Sequence, residues 1–170
     1  IGNIGRTVVK MLHGFDVNIM YYDIYRLNEE REKALDIVYA PLTELLQKAD
    51  IISLHCPLTP ETKHIINADS ISLMKKGAII INTARGGLID ETALISALES
   101  GHIKAAGLDV FEKEPPEKTN PLLSFNNVTV SPHVGGLTYE AFKSMMVEAM
   151  NNIKLFEEGK SELLENKRIV

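Results

Sequence analysis

Strand-like and helix-like stretches alternate along most of this chain, about every 25 residues, and that rhythm leaves few folds open. Short β-rich runs separated by helical segments pair in parallel, because each helix carries the chain back across the sheet. The most telling run is Ala78–Asn82 (AIIIN), apolar at four consecutive positions, as in a parallel strand covered on both faces. Further strands are expected at 16–22, 51–54, 103–108 and 128–130. Helices are expected from Arg6 to His13, from Pro41, from Asp69 to Met74, after an Asp90 cap, and over a long amphipathic stretch from Thr138 to Glu158. The charged stretch Leu27–Leu35 reads as a loop or an exposed helix. The expected class is therefore α/β, a Rossmann-type doubly wound parallel sheet followed by a long C-terminal helix.

The composition narrows function more than fold. The 170 residues make one domain, or one domain with an appendage, at 45% hydrophobic and 24% charged content. A net charge of −5 gives no basic footprint for nucleic acid. The single cysteine, Cys56, cannot form an internal disulfide, so a cytoplasmic chain is expected. No apolar run approaches a membrane span, and no signal peptide opens the chain.

The chemistry-bearing residues fall after the strands, where open α/β sheets hold their ligands. Gly2 and Gly5 open the first helix, and Asp23 lies 18 residues after Gly5 at the end of the next strand. That is the layout of a dinucleotide fold: glycines admit a pyrophosphate at the helix N-terminus, and the acid takes the adenosine ribose hydroxyls. A plain tight turn would carry the same two glycines. The His55–Thr62 loop contains adjacent His and Cys residues, but nothing in the sequence completes a metal site around them. Arg85 directly follows the buried strand and precedes two glycines, where its planar cation suits a carboxylate. Asp109 and Glu114 follow the next strand, and His133 follows the last. An anion clamp, a carboxylate and a proton donor on successive loops make a candidate catalytic set.

Taken together, these blocks resemble the D-isomer-specific 2-hydroxyacid dehydrogenases. The resemblance rests on Gly2-Asn3-Ile4-Gly5-Arg6, Asn82-Thr83-Ala84-Arg85-Gly86, Leu108-Asp109-Val110-Phe111 with Glu114-Pro115, and Ser131-Pro132-His133-Val134-Gly135-Gly136. It implies Arg85 on the substrate carboxylate and keto oxygen, His133 as the acid/base, and Glu114 rather than Glu112 as the partner of His133. It implies NAD as cofactor, held by Gly2, Asn3, Ile4, Gly5, Asp23, Cys56, Pro57, Thr62, Thr83, Ala84, Arg85 and Asp109. The implied substrate is a small 2-hydroxy or 2-keto acid, with no nucleic acid, membrane or metal involved, and the full-length protein is expected to be a homodimer. A non-enzymatic NAD(H) sensor similar to the C-terminal-binding-protein corepressors would keep the same residues. Formate dehydrogenases resemble it less, since they carry Gln at the position of Glu114.

Against that family, the first fingerprint glycine and the strand before it are absent from the 170 residues. The expected organisation is a dinucleotide-binding domain over residues 1–134 and a crossover helix over 135–170, returning to a substrate domain outside this chain. The sheet should accordingly show a gap between its strands near Tyr22 and Ile51. Alone, these residues are expected to be inactive.

Overall fold

The computed structural model describes residues 1–160 and 162; the remainder of the 135–170 segment lies outside the described residues. The chain forms two compact units, Ile1–Pro132 and His133–Val170.

The first unit begins with α1 (Asn3–Leu12), followed by β1 (Met20–Tyr21), α2 (Glu29–Leu35), β2 (Val38–Tyr39) and α3 (Leu42–Lys48). It continues through β3 (Ile51–Leu54), α4 (Ala68–Leu73), β4 (Ala78–Asn82), α5 (Glu91–Glu99), β5 (Ile103–Leu108) and β6 (Val128–Val130). Capping explains several boundaries. Asn67 and Ser70 form a reciprocal capping box at the start of α4, and the Asp90 carboxylate accepts from the N–H groups of Thr92 and Ala93 to start α5. Gly77, at φ 89°, makes the left-handed turn between α4 and β4.

Every strand pairing is parallel, but the strands form two sheets rather than one. One contains β1 and β2; the other runs β3-β4-β5-β6. The expected break between the strands near Tyr22 and Ile51 is therefore present: among the described residues β3 has a ladder partner on one side only. The hydrophobic core divides the same way. Ile52, Ile80, Leu88, Leu94, Ile103 and Leu122 belong to a large cluster around the four-stranded sheet. Val9, Tyr21 and Ile37 form a small separate one around the pair.

Two features differ from the sequence reading. The run over 16–22 yields a strand of two residues, because a 3₁₀ turn extends to Phe15 and Asp16 takes a left-handed conformation at φ 52°. The two-residue strand β2 has no counterpart among the expected strands. A ladder of two residues shows no alternation in sequence, so β2 is recognisable only from its pairing with β1.

In the second unit, Thr138 caps the helix α6 (Tyr139–Glu157) by accepting from the N–H of Ala141. No helix among the described residues is long and apolar enough to cross a membrane.

Candidate active site

Because β3 to β6 are parallel, the loops that follow them leave from one edge of the sheet. The local sequence draws these loops together. Asn82, the last residue of β4, is fully buried and polar. Its side-chain amide donates to the carbonyl of Arg85 (2.9 Å), and its side-chain oxygen accepts from the N–H of Ala84 (3.0 Å). This closed turn fixes Thr83, Ala84 and Arg85 immediately beyond the sheet, with Thr83 and Arg85 exposed. The next residue, Gly86, permits an unusually close approach. A Cβ placed there would overlap the carbonyl of Phe111 and lie 2.5 Å from the backbone nitrogen of Glu112. The Arg85 block is thus pressed backbone to backbone against the block that carries Glu114.

Glu114 is exposed and its carboxylate accepts from the N–H of Phe111 at 3.1 Å. Glu112 is committed elsewhere. Its carboxylate meets His64 Nε2 at 2.5 Å, and its N–H donates to Glu91 at 2.7 Å. The second oxygen of Glu91 accepts from the Asn120 side chain at 2.8 Å. His64 in turn donates its backbone N–H to the carbonyl of Gly87 (2.9 Å). Loops after β3, β4 and β5 are therefore tied to one another by backbone and carboxylate bonds. Asp109, buried at the end of β5, accepts from the Ser131 hydroxyl at 2.5 Å, which joins the ends of β5 and β6.

The cofactor side begins at α1. Gly2 precedes the helix in an extended conformation, no side chain caps it, and no acidic residue lies in its first turn. Space above Gly2 is open. An uncapped helix start with open space above it fits a phosphate group. Gly5 is buried, and a Cβ there would come 3.8 Å from His55 Cβ, so α1 starts against the loop after β3. That loop is folded on itself: the Thr62 hydroxyl donates to the Pro57 carbonyl at 2.7 Å and accepts from the N–H of Thr59 at 2.7 Å. Burial pushes the Cys56 thiol up and the His55 imidazole down, so both side chains favour their neutral forms. Asp23, just beyond β1, accepts from the N–H of Tyr25. Asn3 and Ile4 are exposed in the first turn of α1. His133 heads the second unit in a left-handed conformation, φ 56°.

Asn82, Ser131, His64 and Glu91 are missing from the candidates named from sequence. Asn82 carried a readable signal, a polar residue closing an otherwise apolar run. The others become visible only through long-range pairing.

The sequence profile described as "D-isomer specific 2-hydroxyacid dehydrogenase, NAD binding domain" matches residues 1–135. The chain belongs to this family. Within the D-isomer specific 2-hydroxyacid dehydrogenases, the matched region is the NAD-binding domain, so NAD is the cofactor. The chain is 50% identical over 166 residues to the D-3-phosphoglycerate dehydrogenase of Methanocaldococcus jannaschii, covering 98% of this chain and 31% of the relative. It is 47% identical to the hydroxypyruvate reductase of Thermotoga maritima, covering 92% of this chain and 50% of the relative. Among solved structures, the TT0316 protein of Thermus thermophilus superposes with a TM-score of 0.87 at 38% identity, covering 94% of this chain and 49% of that one. An NAD-complexed D-isomer specific 2-hydroxyacid dehydrogenase from Lactobacillus delbrueckii superposes at 0.84 and 32% identity, covering 94% and 52%. The chain thus spans 31% to 50% of the length of these curated relatives.

Proposed function

We propose that the full-length protein is an NAD-dependent dehydrogenase interconverting a D-2-hydroxy acid and its 2-keto acid. Membership of the family across residues 1–135 carries this reading, and the abutment of the Arg85 and Glu114 blocks supports it. In the reduction, Arg85 holds the substrate carboxylate through paired N–H bonds and steadies the keto oxygen. His133 delivers its proton to that oxygen as the carbonyl carbon is reduced. Glu114 favours the imidazolium form of His133 and so keeps a proton available near neutral pH. Glu112 is a poor alternative partner, because His64 and Glu91 already engage it. The nicotinamide of the bound cofactor supplies the hydride.

On the cofactor side, the start of α1 from Gly2 to Gly5 receives the pyrophosphate, and Asp23 accepts from the adenosine ribose hydroxyls. Cys56, Pro57 and Thr62 line the cofactor; Thr83 and Ala84 lie by the nicotinamide ribose, and Asp109 by the carboxamide. Residues 1–134 form the dinucleotide-binding domain, and residues from 135 onward return to a substrate domain. The apolar positions exposed along α6, Phe142, Met145, Met146, Ile153 and Phe156, support a further surface for that domain or a second subunit. A cytoplasmic homodimer is the proposed setting. No observation favours the corepressor-like reading.

The test is kinetic. In the full-length protein, His133→Ala should lower kcat for 2-keto acid reduction by about 10²–10⁴ while leaving NADH affinity within about twofold. Glu114→Gln should lower the pKa seen in the pH profile of reduction. Wild-type rates and profiles in both variants would remove the acid–base assignment.

A further inference from the structure

Three residues after Asp23 the chain carries Arg26, a cation of the kind that accommodates the 2′-phosphate of NADP. Its place in the sequence alone opens the site to both cofactors. The structure puts the guanidinium to another use. Arg26 Nε donates to Glu32 Oε1 at 2.9 Å, and Nη2 donates to Oε2 at 3.0 Å, a fork-to-fork pair. The Cζ atom lies 4.9 Å from the centroid of the Tyr39 ring. Glu32 is fixed in turn: the Tyr21 hydroxyl, from β1, donates to the same Oε1 at 2.7 Å and accepts from the N–H of Leu27 at 2.9 Å. Glu32 is buried on α2 although it stands in a strongly charged run. Arg26, then Tyr21, holds its carboxyl down to about 2, so the pair is charged at any working pH.

We infer that Glu32 is a specificity-determining residue: by engaging Arg26 it withdraws that guanidinium from a 2′-phosphate arriving beside Asp23. With Arg26 engaged by Glu32, a 2′-phosphate arriving there would meet the Asp23 carboxylate without a compensating fork from Arg26. An NAD ribose, with hydroxyls only, needs no such fork. The inference rests on the adenosine ribose lying at Asp23, as proposed above.

The experiment measures dissociation constants of NADH and NADPH by calorimetry and nicotinamide fluorescence on the full-length protein. In Glu32→Gln, the amide keeps the shape and the bond to Tyr21 but loses the charge and the fork. NADPH should then bind roughly tenfold more tightly, the scale of one charge-assisted hydrogen bond, with NADH affinity within about twofold. The gain should vanish in Glu32→Gln/Arg26→Gln. Arg26→Gln alone should change NADPH affinity less than about threefold, since Arg26 is already engaged; this variant decides the matter where Glu32→Gln does not fold. Unchanged NADPH affinity in folded Glu32→Gln, or a tenfold loss in Arg26→Gln, would overturn the inference. Asp23→Asn reports separately on the underlying reading. If it leaves both affinities unchanged, the ribose placement fails, and the inference falls with it rather than through Glu32.

Discussion

Gly86 shows how a single hydrogen atom in place of a methyl group can assemble a site. The atoms in its way are the backbone of Phe111 and Glu112, which cannot rotate aside as a side chain would. Gly86→Ala must therefore part the two blocks. Overpacking of this sort costs about 1–3 kcal/mol, so Tm of the full-length protein should fall by several degrees. Arg85 moves with the displaced backbone, and KM for the 2-keto acid should rise. A variant with wild-type Tm and KM would mean that the two blocks are not held in contact in solution. Asn82 belongs to the same scale. Its buried amide satisfies both ends of the Arg85 turn, so its position at the end of an apolar run reflects a structural requirement rather than a break in the pattern.

At the level of elements, α2 depends on an electrostatic anchor. It is seven residues long with three acidic residues in its first turn, and an isolated helix of that length is marginal. Glu32 docks it onto β1 through Tyr21 and onto the following loop through Arg26. A carboxyl depressed to about 2 contributes stability that is fully present above its unfolded value near 4.5 and is lost as pH falls toward 2. Wild-type protein should lose stability more steeply than Glu32→Gln between about pH 4.5 and 2, as read by chemical denaturation at fixed pH steps. Parallel loss in the two proteins would show that the anchor contributes nothing. Sequence could not announce this anchor, because a run of Glu, Arg and Lys looks like a solvated face; burial of Glu32 follows only from what β1 and Arg26 bring to it. The long apolar strands were another matter. Ile51–Leu54, Ala78–Asn82, Ile103–Leu108 and Val128–Val130 have the same limits in sequence and structure, since each run is set off by breaks in its apolar pattern. The placement of the candidate residues was legible for a related reason: residues that directly follow such strands must lie at the ligand edge, whereas His64, Glu91 and Ser131 act through partners at least 21 positions away.

Across the whole molecule, the division into two sheets and two hydrophobic clusters governs how these 170 residues behave alone. Small cores bury too little apolar surface to be robust. Among the described residues, the cluster around β1 and β2 has three buried hydrophobic side chains. At the other sheet, β3 has no second neighbour among the described residues, and Ile51 on it is 59% exposed. An open edge of this kind is a template for pairing with another chain. The exposed apolar positions of α6 add a second adhesive surface. The isolated 170-residue chain should therefore sediment as a concentration-dependent mixture of species, unfold over a broad range or in two steps, and show no activity toward 2-keto acids. The β1–β2 cluster, being the smaller, should melt first. Analytical ultracentrifugation over a concentration series, together with calorimetric unfolding, makes the comparison. If the chain is a monodisperse monomer with one sharp transition at high temperature, the two sheets are coupled although no ladder joins them, and the weakness assigned to the gap between them does not exist.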